Sequence, residues 1–335
     1  MSERRLLFLT PHLGFRADAA AIHLETDDVV LRIQPPHADT LATLHQLCAP
    51  QWTQEVAIDA VLKARLIEHR ALRELPIDSD HPARFIVPFL DLCDSWAGGV
   101  FESAFWPRFL SGQSSRAQVF AFIAQLHHRT AGADLHNLAA AQNCGDASIQ
   151  VLLRQHYEEE LGHARILAAG IRRCGAAGEQ ALAKPPLAAT TDLIEFMLHT
   201  SISAHAYMGC YGIFHAPGTI KTETDLVQQF DTFAQHYPFA SAAFDAVASH
   251  ARLDYQFGHQ EIDAVKWIRS GGLPSAEAMR AMVSGAREAA RRLRALFDAL
   301  ALIDHDPPWV TSNLSVSTPS HSPHSDPAET PDRTP

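Results

Sequence analysis

The sequence predicts a mainly α-helical protein, in which a helical bundle follows a small α+β unit. Between residues 81 and 302, apolar residues recur at helical spacing through long segments that short Gly-, Ser- and Pro-rich breaks separate. Residues 1–80 instead contain short apolar and β-branched runs with turn signals between them. With 47% hydrophobic and 19% charged residues, the 335-residue chain has the composition of a folded protein of more than one domain.

Residues 1–80 are predicted to form short antiparallel strands that lead into helices. The stretches RLLFLTPHLGF and AIHLETDDVVLRIQ favour strands, and the TDD segment is a turn signal. Apolar residues then recur at helical spacing in PHADTLATLHQLC and TQEVAIDAVLKARLIEHRAL. Strands and helices in so short a span predict a winged-helix domain. The Pro-containing segment LPIDSDHPARF places its boundary near residue 80.

Residues 81–310 are predicted to form the bundle. Periodicity predicts helices at 85–92, 101–110, 116–142, 147–173, 187–215, 222–236, 239–270 and 275–301. Residues 311–335 are rich in Ser, Thr and Pro and contain almost no apolar side chains, so we expect a disordered tail.

Charge, cysteine content and hydropathy exclude several classes of protein. The formal net charge is -11 and the basic residues are scattered, which argues against nucleic acid as a partner. The five cysteines are far apart and form no CxxC motif, so we expect neither a disulfide framework nor a thiolate metal site. Apolar runs are too short for a signal-peptide core or a membrane span. We therefore expect a cytoplasmic protein that does not bind membranes.

One predicted helix carries an unusual number of ionisable side chains, in RQHYEEELGHARIL at 154–167. On a helix they form a stripe that is apolar at both ends, made of Ile149, Leu152, His156, Glu160, His163 and Leu167. A carboxylate and an imidazole three residues apart can bind the same metal ion from adjacent turns. Glu159 is close enough to the stripe to replace Glu160, whereas Glu158 points elsewhere. The alternative interpretation is a solvated charged face.

A second stripe lies in FDAVASHARLDYQFGHQEIDAVKW and contains Val247, His250, Asp254, Phe257 and Glu261. His250 and Asp254 are one helical turn apart, so their side chains can also converge on a metal. A buried carboxylate without a partner is costly, and a metal ion or a paired histidine would compensate it. On an ideal helix His259 lies opposite His250, and we expect it to be exposed unless a π-bulge rotates it inward.

Other histidines are further candidates. AQLHHRTAGADLHNLAA contains His127 and His128, only one of which can face a site, and HTSISAHAYMGCYGIFH contains His199, His205 and His215. No carboxylate accompanies them, so hydrogen-bonded packing or surface positions are the alternative. Small residues in the second stretch would permit close helix approach or leave space for a ligand.

Four segments within 85–302 resemble the haem-oxygenase-like di-iron oxidases and oxygenases, which are iron-containing redox enzymes. In order, these segments are FIAQLHHRT, LLRQHYEEELGHARILAAGIRRCG, SAHAYMGCYGIFHAPG and FASAAFDAVASHARLD. The resemblance implies a haem-oxygenase-like bundle that binds Fe(II), as two ions, and uses O2 as co-substrate. The metal ligands that it implies are Glu160, His163, His250 and Asp254, with His215 and His128 as further candidates.

The sequence departs from this family at two positions. Many relatives have a second histidine three residues after the aspartate, where this chain has Phe257, and many have a glutamate at the end of the middle helix, where it has His215. His215, His128 or Glu261 could compensate. Sites with two irons, one iron or none remain open.

The stretch AIHLETDDVVLRIQPPHADTLATLHQLCAPQWTQEVAI resembles the winged-helix domains that bind precursor peptides in the biosynthesis of ribosomally made peptide natural products. The resemblance implies capture of a precursor peptide by strand addition to a sheet edge. A winged helix that serves only packing or dimerisation is the alternative, and a homodimer is compatible with the bundle.

Together these observations predict a non-haem iron, O2-dependent oxidase or oxygenase that acts on a leader-bound peptide or a small amino-acid-like metabolite. Two alternatives share the bundle: a cofactor-free oxidase, and a non-catalytic peptide-binding or scaffold protein.

Overall fold

The structure, a computed structural model, describes residues 4–25, 30–77, 81–214, 222–259, 261 and 263–303. It confirms the predicted class, because helices make up most of the chain and small sheets are confined to the N-terminal region. The predicted tail at 311–335 lies outside the described residues, and so does His215.

The N-terminal region contains two three-stranded antiparallel sheets and two helices. Its strands are β1 (Arg4–Leu9), β2 (Gly14–Ala17), β3 (Ile22–Glu25), β4 (Val30–Ile33), β5 (Gln51–Trp52) and β6 (Leu72–Ile77). The strand orders are β5-β1-β6 and β2-β3-β4, and the helices are α1 (Ala38–Gln46) and α2 (Ala60–Glu68). The sheets bear out the α+β unit, while the winged-helix assignment and the boundary near residue 80 stay predictions.

Strand β1 is buried on both faces, which explains its unbroken apolar run. Side chains alternate along a strand, so Leu7 and Leu9 face the core of the N-terminal region, while Leu6 and Phe8 pack into the core of the bundle. Phe8 meets Trp96 edge to face at a centroid distance of 5.6 Å. The N-terminal region therefore shares a hydrophobic core with the bundle.

The helices of the bundle are α3 (Pro82–Phe101), α4 (Phe105–Leu110), α5 (Arg116–Asn143), α6 (Ala147–Glu160), α7 (His163–Arg172), α8 (Ala176–Ala183), α9 (Ala188–Thr200), α10 (Ala204–Phe214), α11 (Glu223–His236), α12 (Ser241–Gln256), α13 (Asp263–Arg269) and α14 (Ala276–Ala301). None of the helices in the described part of the chain combines the length and apolar content that a membrane span requires.

Three predicted long helices are each split in the structure. The predicted helix 147–173 breaks before Gly162, 187–215 breaks after Thr200, and 239–270 breaks near Gly258. Gly162 and Gly258 adopt positive φ values of 91° and 75°, a left-handed conformation that glycine adopts without steric cost. Apolar periodicity continues across these corners, so it did not reveal them.

Small residues allow α10 and α14 to pack closely, as the sequence suggested. A Cβ at Gly209 would collide with the backbone of Met282, and one at Gly285 would collide with the backbone of Ala206. This close packing fixes α10, which carries Tyr207 and Tyr211, against the centre of the bundle.

Candidate metal centre

Two helix ends and one helix face bring the predicted ligands together. Glu160 ends α6 and His163 begins α7, so the corner at Gly162 presents both side chains to the same region. His250 and Asp254 lie one turn apart on α12, which packs against α7.

Glu160, His163, His250 and Asp254 form one cluster. Each offers a donor atom that lies within 4.8 Å of the others. His163 Nδ1 is 3.4 Å from Glu160 Oε2 and 3.4 Å from Asp254 Oδ1. His250 Nδ1 is 3.1 Å from Asp254 Oδ2. The cluster thus joins two carboxylates and two imidazoles from three helices.

His259 also belongs to this region, and the expectation that it is exposed was wrong. Its side chain is only 2% exposed, and its Nδ1 lies 3.1 Å from Glu160 Oε1 and 3.8 Å from Asp254 Oδ1. Its Nε2 lies 3.0 Å from Glu159 Oε2. Because α12 ends before Gly258, the angle that an ideal helix gives to His259 does not apply, and a π-bulge is not needed. The sequence feature that could have indicated the buried position of His259 is a Gly-His pair, which occurs at both corners, as Gly162-His163 and as Gly258-His259.

The remaining predicted ligands are not brought to the cluster. His128 Nε2 lies 3.1 Å from the carbonyl oxygen of Lys184, so this side chain points to a different part of the bundle. Glu261 forms an ion pair with Arg269. Phe257, at the position where many members of the family that the sequence resembles have a histidine, is 41% exposed, and its ring stacks against that of His163 at 6.3 Å.

The carboxylates of the cluster are held ionised. Burial acts to raise the pKa of Glu160, but His163 and His259 outweigh it and lower that pKa far below its usual value. Burial likewise opposes the ionisation of Asp254, and its contacts with His163 and His250 hold the pKa of this side chain below the usual range.

The imidazoles of the cluster respond in the opposite sense. Burial would lower the pKa of His163, but Asp254 and Glu160 raise it to about 9. The pKa of His259 is also raised, because Glu160 and Glu159 outweigh the effect of burial. A region that stabilises positive charge in this way is suited to a cation.

Buried polar atoms in the cluster test whether a metal fits. His163 Nδ1, His250 Nε2 and Asp254 Oδ1 are buried and make no hydrogen bond within the described ranges. Buried nitrogen and oxygen atoms normally find partners, and a metal ion would satisfy all three at once. The mixture of imidazole and carboxylate also suits iron. These residues therefore fit the metal that the resemblance implies.

A second polar group, formed by His136, Asn137, Tyr207 and Tyr211, lies beside the cluster. His136 Nδ1 is 2.6 Å from the Tyr207 hydroxyl, and the Tyr211 hydroxyl donates a 2.6 Å hydrogen bond to Asn137 Oδ1, to which Tyr207 also donates. His156 connects this group to the cluster, with ring centroids 4.5 Å from Tyr211 and 4.9 Å from His259.

Burial keeps the second group uncharged. It lowers the pKa of His136 to about 3 and the pKa of His156 to about 4, in the latter case with help from the charge of His259. It also raises the pKa of both Tyr207 and Tyr211. The tyrosines are thus protonated hydrogen-bond donors.

Two cavities adjoin the cluster. The smaller, of about 100 Å³, is lined by Glu160, His250, Asp254, Tyr211 and Arg129, among others. The larger, of about 300 Å³, has mainly apolar walls and also reaches Arg129, His250 and Asp254. The candidate ligands are therefore accessible to a small molecule.

The bundle has a haem-oxygenase-like fold. It is similar to a crystal structure of a domain of unknown function with a heme oxygenase-like fold from Shewanella denitrificans OS217, with a TM-score of 0.51 and 16% sequence identity. The alignment covers 67% of this chain and 92% of that domain. No family model and no curated protein matches the chain. At this identity the similarity defines the fold alone, so the function must be argued from the site.

Proposed function

We propose that the chain is a non-haem iron oxidase or oxygenase that uses O2. The cluster of Glu160, His163, His250 and Asp254, with donor atoms within 4.8 Å of one another, carries this proposal. Iron bound there would supply O2 activation, while the protein provides geometry and an apolar cavity.

We further propose that two Fe(II) ions bind. The two oxygens of Glu160 face different imidazoles, with Oε2 toward His163 and Oε1 toward His259. The oxygens of Asp254 are similarly divided between His163 and His250. These two carboxylates and the imidazoles of His163, His250 and His259 would together hold the ions, which is the kind of ligand set that di-iron helical bundles use. In this proposal His259 supplies the imidazole that many members of the resembled family have at the position of Phe257.

Residues around the cluster would bind and orient the substrate. The apolar walls of the larger cavity would keep water from the reacting atoms. Tyr211, which lines the smaller cavity, keeps its proton in the hydrogen bond to Asn137, so its oxygen can accept a hydrogen bond from the substrate. His156 lies between the rings of Tyr211 and His259 and is held neutral, so it can accept or donate a hydrogen bond without adding charge.

The substrate is proposed to be a leader-bound peptide or a small amino-acid-like metabolite. Strand β4 supports peptide capture, because it lies at the edge of the sheet β2-β3-β4 and can pair with an added strand. Val30 at its start is 62% exposed and offers an apolar contact. Binding of a synthetic leader peptide to full-length protein, and its loss when β4 carries a proline at Leu31, would test this part.

The iron content of the purified protein tests the proposal directly. We would reconstitute the full chain anaerobically with Fe(II) and measure iron per chain for the wild type, Glu160→Ala and His250→Ala. Glu158→Ala is a matched control, because this exposed glutamate is on the same helix. His128→Ala controls for loss of a histidine away from the cluster.

The expected result is about two irons per chain in the wild type and the controls, and little iron in the two cluster variants. One iron per chain would contradict the di-iron arrangement and indicate a mononuclear iron site. No specific iron in the wild type would overturn the proposal and leave a cofactor-free oxidase or a binding protein.

A further inference from the structure

Arg129 is a half-buried arginine in the bundle that forms no ion pair with any residue that the structure describes. It lies on α5 and lines both cavities beside the cluster. Its guanidinium lies 5.5 Å from the ring centroid of Phe214 and forms no ion pair within the part of the chain that the structure describes. Burial lowers its pKa, and the charges of Glu160 and Asp254 oppose that effect.

The nearby carboxylates do not neutralise this guanidinium. Glu160 faces His163 and His259, and Asp254 faces His163 and His250, each at ion-pair distance. Their negative charge is therefore shared with imidazoles or, in the proposed function, with metal. A half-buried guanidinium that lines a cavity, and that forms no ion pair within the described residues, is placed to bind an anion there.

The larger cavity supplies the second observation. Its volume is about 300 Å³, at the lower end of the range for small-molecule sites. Aromatic side chains form much of its wall, including Phe101, Trp106, Phe122, Phe230 and Phe297. An apolar or aromatic body would fill this space, but the walls cannot solvate a charge. The one strong anion-binding group at the cavity is Arg129, among the described lining residues.

We propose that this cavity binds a small carboxylic acid with an apolar or aromatic body, and that Arg129 binds its carboxylate. A guanidinium can donate two parallel hydrogen bonds to a carboxylate, and this geometry gives both affinity and orientation. The inference concerns only the binding of the acid. It rests on the proposed function for the reaction that would follow binding. Of the two substrate classes proposed above, it favours the small metabolite, as a free acid, over the leader-bound peptide.

The orientation of the acid follows from the residues that the two cavities share. These are Arg129, Phe214, His250 and Asp254, so the cavities meet at the cluster, while Phe101 and Trp106 line only the larger one. The carboxylate end of the acid therefore lies beside the cluster, and its body extends away from it.

Calorimetric titration of the full chain tests this binding. The probes are 3-phenylpropionate and the isosteric amide 3-phenylpropionamide, each titrated into chelator-treated protein and into iron-loaded protein. The variants are Arg129→Gln and Arg129→Lys, and the matched control is Arg154→Gln, which removes an exposed arginine from α6. Circular dichroism and iron content report whether each variant is folded.

The wild type is expected to bind the acid roughly tenfold to a hundredfold more tightly than the amide, with or without iron. Arg129→Gln should abolish this preference, Arg129→Lys should retain part of it, and Arg154→Gln should leave it unchanged. Equal binding of acid and amide by the wild type would overturn the inference, whatever the iron content.

Binding of the acid that requires iron and survives Arg129→Gln would also overturn the assignment, because the carboxylate would then bind the metal. The opposite combination, an Arg129-dependent preference in a chain that binds no iron, would support the inference while the proposed function fails. The two proposals can thus be judged separately.

Discussion

Two groups of buried histidines lie side by side in this bundle and differ in charge. His163 and His259 stand among carboxylates and have raised pKa values, about 9 for His163. His136 is similarly buried but stands among two tyrosines and an asparagine, and burial lowers its pKa to about 3. For His156, whose Nδ1 lies 3.4 Å from Asp263 Oδ2, burial and the charge of His259 lower the pKa to about 4. Burial disfavours the charged imidazole in both groups, and the carboxylates of the cluster outweigh it for His163 and His259.

The difference separates two roles within one polar region. The carboxylate-rich group stabilises positive charge and is suited to a cation, while the neutral group holds protonated tyrosines in a fixed network. Substitutions in the carboxylate-rich group and in the neutral group should therefore have different consequences.

The largest effect, on iron content, is expected when the charge of Glu160 is removed. Glu160→Gln keeps the shape of the side chain but removes the charge that His163 and His259 share, so iron per chain should fall close to zero. His136→Gln, in the neutral group, should retain the iron content of the wild type. If both variants lost iron equally, the division into two groups would be wrong.

The next effect concerns acid stability. The pKa of His136 is about 3 in the folded protein and about 6.5 when unfolded, so the unfolded chain binds the additional proton. Stability from this residue is therefore complete above pH 6.5 and is lost as the pH falls toward 3, at about 1.4 kcal/mol per pH unit.

Urea unfolding of metal-free protein at a series of pH values measures this loss. The free energy of unfolding should decrease less steeply between pH 6.5 and 5 for His136→Gln than for the wild type, by about 1.4 kcal/mol per pH unit. The same slope in both proteins would show that His136 is protonated or solvated in the folded state.

The affinity for metal should depend on pH because of a histidine in the carboxylate-rich group. In the metal-free protein His163 has a pKa of about 9, so at neutral pH it carries a proton that a metal must displace. Raising the pH from 6.5 to 7.5 should strengthen binding by about tenfold for one displaced proton. Manganese(II) is a suitable oxygen-stable probe, and an affinity that falls with rising pH would contradict this arrangement.

The smallest effect is expected at the corner between α6 and α7. Gly162 has a positive φ of 91°, and a Cβ there would meet nothing within 4 Å, so Gly162→Ala adds backbone strain without a collision. We expect a loss of roughly 1–2 kcal/mol in the free energy of unfolding. Gly145→Ala is the matched control, because its Cβ would also meet nothing within 4 Å. Equal losses of stability in both variants would show that the left-handed backbone at position 162 adds no strain to an alanine there.

The sequence predicted the helical class from periodicity, and it predicted the grouping of the four clustered residues from periodic stripes together with the family resemblance. Glu160, His250 and Asp254 lie on stripes that are apolar at their ends, and such stripes face the core of a bundle. The corners at Gly162 and Gly258 could not be predicted in this way, because one glycine inside an apolar pattern is compatible with a continuous helix. That is why His259 was misplaced.

Arg129 was missed for a different reason. An arginine is usually solvent-exposed, even on a helix as rich in apolar residues as α5, and the position of Arg129 beside two cavities depends on how α10 and α12 pack around it. Long-range packing of this kind leaves no local signal in the sequence. The adjacent His127 and His128 drew attention to the right segment but contact backbone carbonyls of Ala164 and Lys184 instead.

The contact between Arg287 and strand β1 affects how the chain folds during synthesis. The buried guanidinium donates to the backbone carbonyls of Leu9, at 2.7 Å, and Thr10, at 3.3 Å, across 278 and 277 residues of sequence. At roughly 5–20 residues per second, a ribosome needs on the order of ten to sixty seconds to make the intervening chain. Strand β1 can pair with β5 and β6 once residues 51–77 have been made, but the carbonyls of Leu9 and Thr10 gain Arg287 only after α14 has been made. This link between the N-terminal region and the bundle therefore forms late.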